Sequence, residues 1–169
     1  PFLEIGEGLG AGEVTIRNDG EVSLDGPFPF VGVSDAQAGG LGSQETTDTT
    51  AVEQSTLRIE SGGTLALFDD TGGNARVNVG QRAGGDGAVV VTGDGSEIKL
   101  ETTADGFSSL EVGQGGTGSL TIEDGGRVES LYMGAGGSYG NYQTGGSGTI
   151  TVDGAGSALV LEGTGGGGY

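Results

Sequence analysis

Carboxylates are the side chains here with most scope for chemistry. The chain has 24 Asp and Glu against six Lys and Arg in 169 residues, a formal net charge of -18. Asp19, Asp94, Asp124 and Asp153 each follow a short apolar run and lie in a Gly-rich stretch, within NDG, GDG, DGG and VDGAG. Brought to one edge of a fold, they would repel one another, and a shared Ca²⁺ would relieve that by taking roughly six to eight oxygen ligands. The competing reading is four solvated turn carboxylates. Neither the calcium-binding nonapeptide of β-helices nor an EF-hand loop is present. Asp69 and Asp70 in FDDTGGN, with Glu45 and Asp48, are weaker metal candidates. Glu4 and Glu111 occupy matching places in LEIG and LEVG. Two such carboxylates resemble a glycosidase acid/base pair. The five arginines are scattered, however, and no catalytic residue is assigned; the chain is expected not to be an enzyme.

Absent residue types narrow the chemistry further. There is no Cys, His or Trp. That excludes disulfides, thiolate and imidazole metal sites, and a Ser-His-Asp triad. One lysine, Lys99, in so acidic a chain argues against nucleic acid and anionic membranes as partners. No apolar run approaches the ~20 residues of a membrane-spanning helix, so no membrane insertion is expected. Calcium is the one cofactor the residues suggest. Aromatic side chains offer a second kind of site. Phe28 and Phe30 in PFPF, and Tyr139 and Tyr142 in SYGNYQ, have the flat amphipathic rings that meet glycans or a protein partner. Packing beneath loops is the alternative for them.

The elements that position these residues come from an internal repeat. LEIGEGLGAGEVTI (3–16) and LEVGQGGTGSLTI (110–122) match almost residue for residue. Five copies follow the same order. A short apolar run ends at Gly6, Gly32, Gly80, Gly113 or Gly134. A second run is VTI (14–16), LRI (57–59), VVV (89–91), LTI (120–122) or ITV (150–152). A third is VSL (22–24), LAL (65–67), IKL (98–100), VES (128–130) or LVL (159–161). Each run alternates with period two, the mark of a strand with one buried face. Glycine interrupts every candidate helix. The expected fold is all-β, a parallel β-helix of about five coils of three short strands with Gly-rich turns and no capping elements. It forms one domain over 1–169, with coils near 1–26, 27–67, 75–100, 107–130 and 131–161. Inserts are expected at 33–54, 68–76 and 135–147, and insertions on one side of a solenoid often form its binding face.

Two repeat subtypes alternate, G-x-L-T-I-x-x-G-G-x-V as in GSLTIEDGGRV (118–128) and G-x-x-T-V-x-G-x-G-S-x-L as in GTITVDGAGSAL (148–159). This pattern resembles the repeat of autotransporter passenger domains and related bacterial surface proteins, over most of the chain outside the inserts. The resemblance implies a β-helical protein, secreted or displayed at a bacterial surface, that serves as an adhesin, stalk or biofilm component. Catalytic members of that group carry activity in extra domains not evident here.

The chain begins with Pro1 and finishes in GTGGGGY, and joining Tyr169 to Pro1 continues the repeat. The expectation is one period of a longer stack, or a piece cut from a larger protein. Leu3, Ile5, Val152, Leu159, Leu161 and Tyr169 are the expected end contacts. Their partners would be copies of the same chain docked head-to-tail, or flanking repeats of one chain. The alternative function is a glycan- or receptor-binding module built on the inserts.

Overall fold

A computed structural model describes residues 1–6, 11–33, 54–81, 84–103, 106–136 and 145–162. Among the described residues, fifteen strands follow in chain order, three to a coil. The first coil has β1 (Phe2–Ile5), β2 (Glu13–Ile16) and β3 (Glu21–Asp25). The second has β4 (Phe30–Val33), β5 (Ser55–Glu60) and β6 (Thr64–Asp69). The third has β7 (Asn74–Val79), β8 (Asp86–Thr92) and β9 (Glu97–Thr102). The fourth has β10 (Phe107–Val112), β11 (Thr117–Glu123) and β12 (Arg127–Ser130), and the fifth β13 (Tyr132–Ala135), β14 (Ser147–Val152) and β15 (Ala158–Leu161). Equivalent strands pair in parallel into three five-stranded sheets, β1-β4-β7-β10-β13, β2-β5-β8-β11-β14 and β3-β6-β9-β12-β15. This is a three-sided parallel β-solenoid. No helix occurs among the described residues.

The period-two pattern sets the register, because a one-residue slip would turn every apolar side chain outward. Leu3, Val31, Val77, Leu110 and Met133 stack in one inward column of the first sheet. Ile16, Ile59, Val91, Ile122 and Val152 do so in the second. Val22, Leu65, Ile98, Val128 and Leu159 do so in the third. The middle coils bury these side chains completely. Each contributes ~1.5–3 kcal/mol of transfer free energy. The core is thus a set of side-chain columns running along the axis. Polar residues of inward parity are buried and bonded: Ser55 and Ser108 accept the N–H groups of Gly12 and Leu131, and the Ser130 hydroxyl donates to the Tyr132 carbonyl at 2.9 Å.

Each corner has its own chemistry. At the corner from first to second sheet, Gly80, Gly113 and Gly136 adopt positive φ (62°, 69° and 72°). Their N–H groups donate to Val33, Val79 and Val112 of the preceding coil. Gly32 and Gly134, expected to end their strands in the same way, do not. They lie inside β4 and β13, in register with Glu4, Asn78 and Glu111. The buried run in the second coil extends past Gly32 to Val33, and the Phe30 ring closes over Gly32.

The second corner explains the two subtypes. In the first, second and fourth coils a short turn puts two successive residues at positive φ: Asn18-Asp19, Ser61-Gly62 and Asp124-Gly125. Each turn is closed by an i+3 N–H, as with Gly126 N to Glu123 O at 3.0 Å. The third and fifth coils use a longer turn ending in Ser96 or Ser157. Each serine hydroxyl accepts the N–H of Gly62 or Gly125 in the preceding coil at 3.2 Å. It also donates to a carbonyl of its own coil, Thr92 or Asp153. A long turn therefore completes the short turn beneath it. The alternation is not strict: the first two coils are both short, and Asp19 N–H donates instead to Ser61 O at 3.2 Å.

The third corner rests on Asp69. One oxygen accepts Thr71 N–H (2.8 Å), the Thr71 hydroxyl (2.7 Å) and Gly73 N–H (3.2 Å), and the other accepts Phe28 N–H (2.9 Å). The carboxylate thus ties two successive corners together. The expected insert at 68–76 is largely strand. β6 runs through Asp69 and β7 starts at Asn74, because this carboxylate folds the intervening turn tightly.

Candidate functional site

The two ends of the solenoid are its least satisfied surfaces. β1, β2 and β3 pair only with β4, β5 and β6, and β13, β14 and β15 only with β10, β11 and β12. Each end therefore presents three strands whose outer backbone groups have no strand partner among the described residues. The apolar layers behind these edges are open as well. Val152 is 45% and Leu161 55% exposed. Leu3 and Leu159 are half-buried. Ile5 is already buried at 3%, so it adds little new contact, and Tyr169 lies outside the described residues. The list of expected end contacts omitted Val14, Val22 and Leu24 at one end and Met133 and Ile150 at the other. All five are half-buried and packed on the core. Their inward parity was the available signal. Phe2 points outward at the first end and is 75% exposed.

The four candidate calcium aspartates share one corner but not one position. Asp124 is the first positive-φ residue of its turn and Asp19 the second of its own. Asp94 is within the longer turn, and Asp153 directly follows β14. A Cβ built on Gly62 would stand 2.3 Å from an Asp19 carboxylate oxygen, and one on Gly125 2.2 Å from that of Asp94. These two carboxylates therefore stack on glycine, not on each other. No group of three or more acidic side chains suited to a metal ion occurs among the described residues. Asp69 is committed to its four hydrogen bonds. Burial alone would raise its pKa, but the bonds from Thr71, Phe28 and Gly73 outweigh this and hold it at about 2. Asp70 is exposed, and Glu45 and Asp48 lie outside the described residues.

The outer face of the first sheet carries the rest of the chemistry. Phe30, Arg76, Ser109 and Tyr132 stand in one outward column, and Gly32, Asn78, Glu111 and Gly134 in the next. Outward residues on the other two sheets are mostly exposed or half-buried, but Asn78, Ser109 and Glu111 are buried. Gln114 Nε2 donates to Glu111 at 2.6 Å, and Asn78 Nδ2 donates to Gln114 at 3.3 Å. Asn78 Oδ1, Ser109 Oγ and Arg76 Nε are buried with no hydrogen-bond partner among the described residues. Tyr132 stacks at a tilt on Phe107, ring centres 5.9 Å apart. Glu4 and Glu111 do share a column, but three rungs apart, ~14 Å. That exceeds the roughly 5–9.5 Å of glycosidase pairs. Phe28 lies at the third corner, 62% exposed, at φ 51°, an uncommon conformation for a bulky residue. Tyr139 and Tyr142 lie outside the described residues.

The described ion pairs are on the flanks. Arg127 bridges Glu97 and Glu129, Lys99 meets Glu101, and Arg58 meets Glu60. All are partly exposed, so each stabilises by less than about 1 kcal/mol. Comparison with protein-family models, curated proteins and solved structures returns no match.

Proposed function

We propose that the chain is a structural β-solenoid segment of a secreted or surface-displayed bacterial protein. It works as a length of rod extended end to end by further β-coils, in a filament, stalk or biofilm matrix. The observation that carries this reading is the continuous stack: three five-stranded parallel sheets whose inward apolar columns run through all five coils. Each coil of such a stack is stable when another coil covers it. The repeat's resemblance to autotransporter passengers supports the location, and the net charge of -18 would keep such rods dispersed. Negative-stain electron microscopy of the purified chain, with calcium and with chelator, tests the proposal. Fibres that lengthen with concentration support it, and discrete short particles throughout count against it. Loss of fibres on chelation would add a calcium role.

A second reading is a glycan- or receptor-binding module. It is favoured by one topological fact: the segments between β4 and β5 and between β13 and β14 both connect the first sheet to the second. Both inserts therefore leave from the corner beside the Gly32, Asn78, Glu111 and Gly134 column. Glycan-array binding lost on deleting 35–52 or 137–144 would support this reading, and an array without signal would remove it.

A further inference from the structure

We propose that the outer face of the first sheet holds a binding site for a neutral carbohydrate, centred on Arg76, Asn78 and Ser109. This rests on the second reading above and deepens it. It names the ligand class and sets the site on the sheet itself, beside the corner from which both inserts leave.

Open hydrogen-bonding capacity is the first argument. Arg76 Nε, Asn78 Oδ1 and Ser109 Oγ are buried with no hydrogen-bond partner among the described residues. Asn78 and Ser109 are at most 2% exposed. Arg76 also makes no ion pair among the described residues. Native folds rarely leave buried polar groups unpaired, so such groups gathered in one patch point to a partner from outside the strands. They sit on β7 and β10, which β4 and β13 flank on either side. The patch therefore belongs to the middle of the stack.

Geometry supplies the second argument. Ser109 is the register partner of Arg76, one rung away at ~4.8 Å, and Asn78 is two residues further along β7, ~6.6 Å. The hydrogen-bond chain behind them fixes which atom is left open. An ionised carboxylate only accepts, so Gln114 turns its NH₂ to Glu111 and its Oε1 to Asn78. Asn78 gives an N–H to Gln114, and its Oδ1 becomes the open acceptor. The set is thus one donor (Arg76), one acceptor (Asn78) and one hydroxyl that can do either (Ser109).

That mixture selects the ligand. Sugar hydroxyls both donate and accept, and so match all three. Glu111 beside the set disfavours an anion, and Arg76 within it disfavours a cation. A net charge of -18 further disfavours acidic polysaccharides. Phe30 lies one rung from Arg76, and Tyr132 one rung from Ser109. Both rings are half-buried, as is Phe107, on which Tyr132 stacks. Aromatic faces of this kind take the apolar C–H face of a sugar ring, while the open polar groups take its hydroxyls.

An array of neutral and acidic oligosaccharides, followed by isothermal titration of the best free oligosaccharide, tests the proposal on the full chain. Neutral sugars should bind at least about tenfold more tightly than acidic ones. Ser109→Ala should weaken binding about five- to tenfold, and Arg76→Met, which keeps the apolar stem, about tenfold or more. The Ser109 hydroxyl bonds to no described residue, so Ser109→Ala should not lower the thermal unfolding midpoint. Ser119→Ala, an outward hydroxyl of the second sheet, should leave binding unchanged. Binding that survives Ser109→Ala and Arg76→Met but is lost on deleting 35–52 or 137–144 would overturn this site and leave the second reading standing. A preference for acidic sugars would overturn the ligand class. An array without signal would overturn both the site and the second reading.

Discussion

Replacing Asp69 by Asn tests whether a buried carboxylate, and not a metal, holds the third corner. The carboxyl is fully buried, accepts four hydrogen bonds, and titrates at about 2 instead of its ordinary 3.8. The difference of 1.8 (3.8 less 2) corresponds to about 2–2.5 kcal/mol of stability. Because the folded-state value is depressed, that stabilisation is fully present above pH ~4 and is lost as the pH falls toward ~2. Asn can keep one acceptor oxygen toward Thr71 and Gly73, but it turns an NH₂ toward the Phe28 N–H. Asp69→Asn should therefore cost about 2–3 kcal/mol at pH 7. The gap between wild type and variant should close by about 2 kcal/mol on acidification to pH ~2. Urea unfolding at both pH values measures it, and Asp70→Asn, at an exposed position, should shift stability by less than about 0.5 kcal/mol. A gap that does not change with pH, or an Asp69→Asn variant as stable as Asp70→Asn, would refute the assignment.

Other perturbations follow from the corners and the charge. Gly118→Ala should cost about 3 kcal/mol or more in urea unfolding, because the new Cβ would stand 2.3 Å from Gly113 N and 2.6 Å from Val79 O. Gly84→Ala should cost only about 1 kcal/mol, since none of the described residues lies within 4 Å and only the positive φ is unfavourable. Ser96→Ala, which leaves Gly62 N–H without its acceptor, should cost about 1–2 kcal/mol by the same assay. Raising salt from about 0.02 to 0.3 M should speed fibre growth followed by light scattering, because it screens repulsion between copies each carrying -18. Growth slowed by salt would place the controlling charges in attractive pairs.

Much of the architecture was legible before the structure because alternation is a direct record of which side of a strand is buried. Val14, Ile16, Leu57 and Ile59 announce their inward face in sequence, and the structure places them in register. Glycine was read less well. After an apolar run it can be a left-handed corner, as at Gly80, or an extended mid-strand residue, as at Gly32, and only pairing distinguishes the two. The role of Asp69 had a local signal, Asp-x-Thr-x-Gly, since short acidic side chains close turns by accepting nearby N–H groups. Reading that stretch as a metal candidate missed it. The buried outer face of the first sheet had no such signal. Glu111 has the same parity and neighbours as exposed Glu4, and its burial is decided by tertiary contacts. The two turn subtypes were visible as patterns, but the reason for them, a serine hydroxyl taking an N–H from the coil below, needed the stacking of coils.

The account turns on a solenoid of parallel coils that is continued by further coils along one axis. X-ray diffraction from oriented, concentrated chain tests that most directly. It should give a ~4.8 Å reflection along the fibre axis together with an axial repeat near ~24 Å, the height of five rungs. A ~4.8 Å spacing perpendicular to the axis, or a solution of separate short particles that never orients, would contradict it.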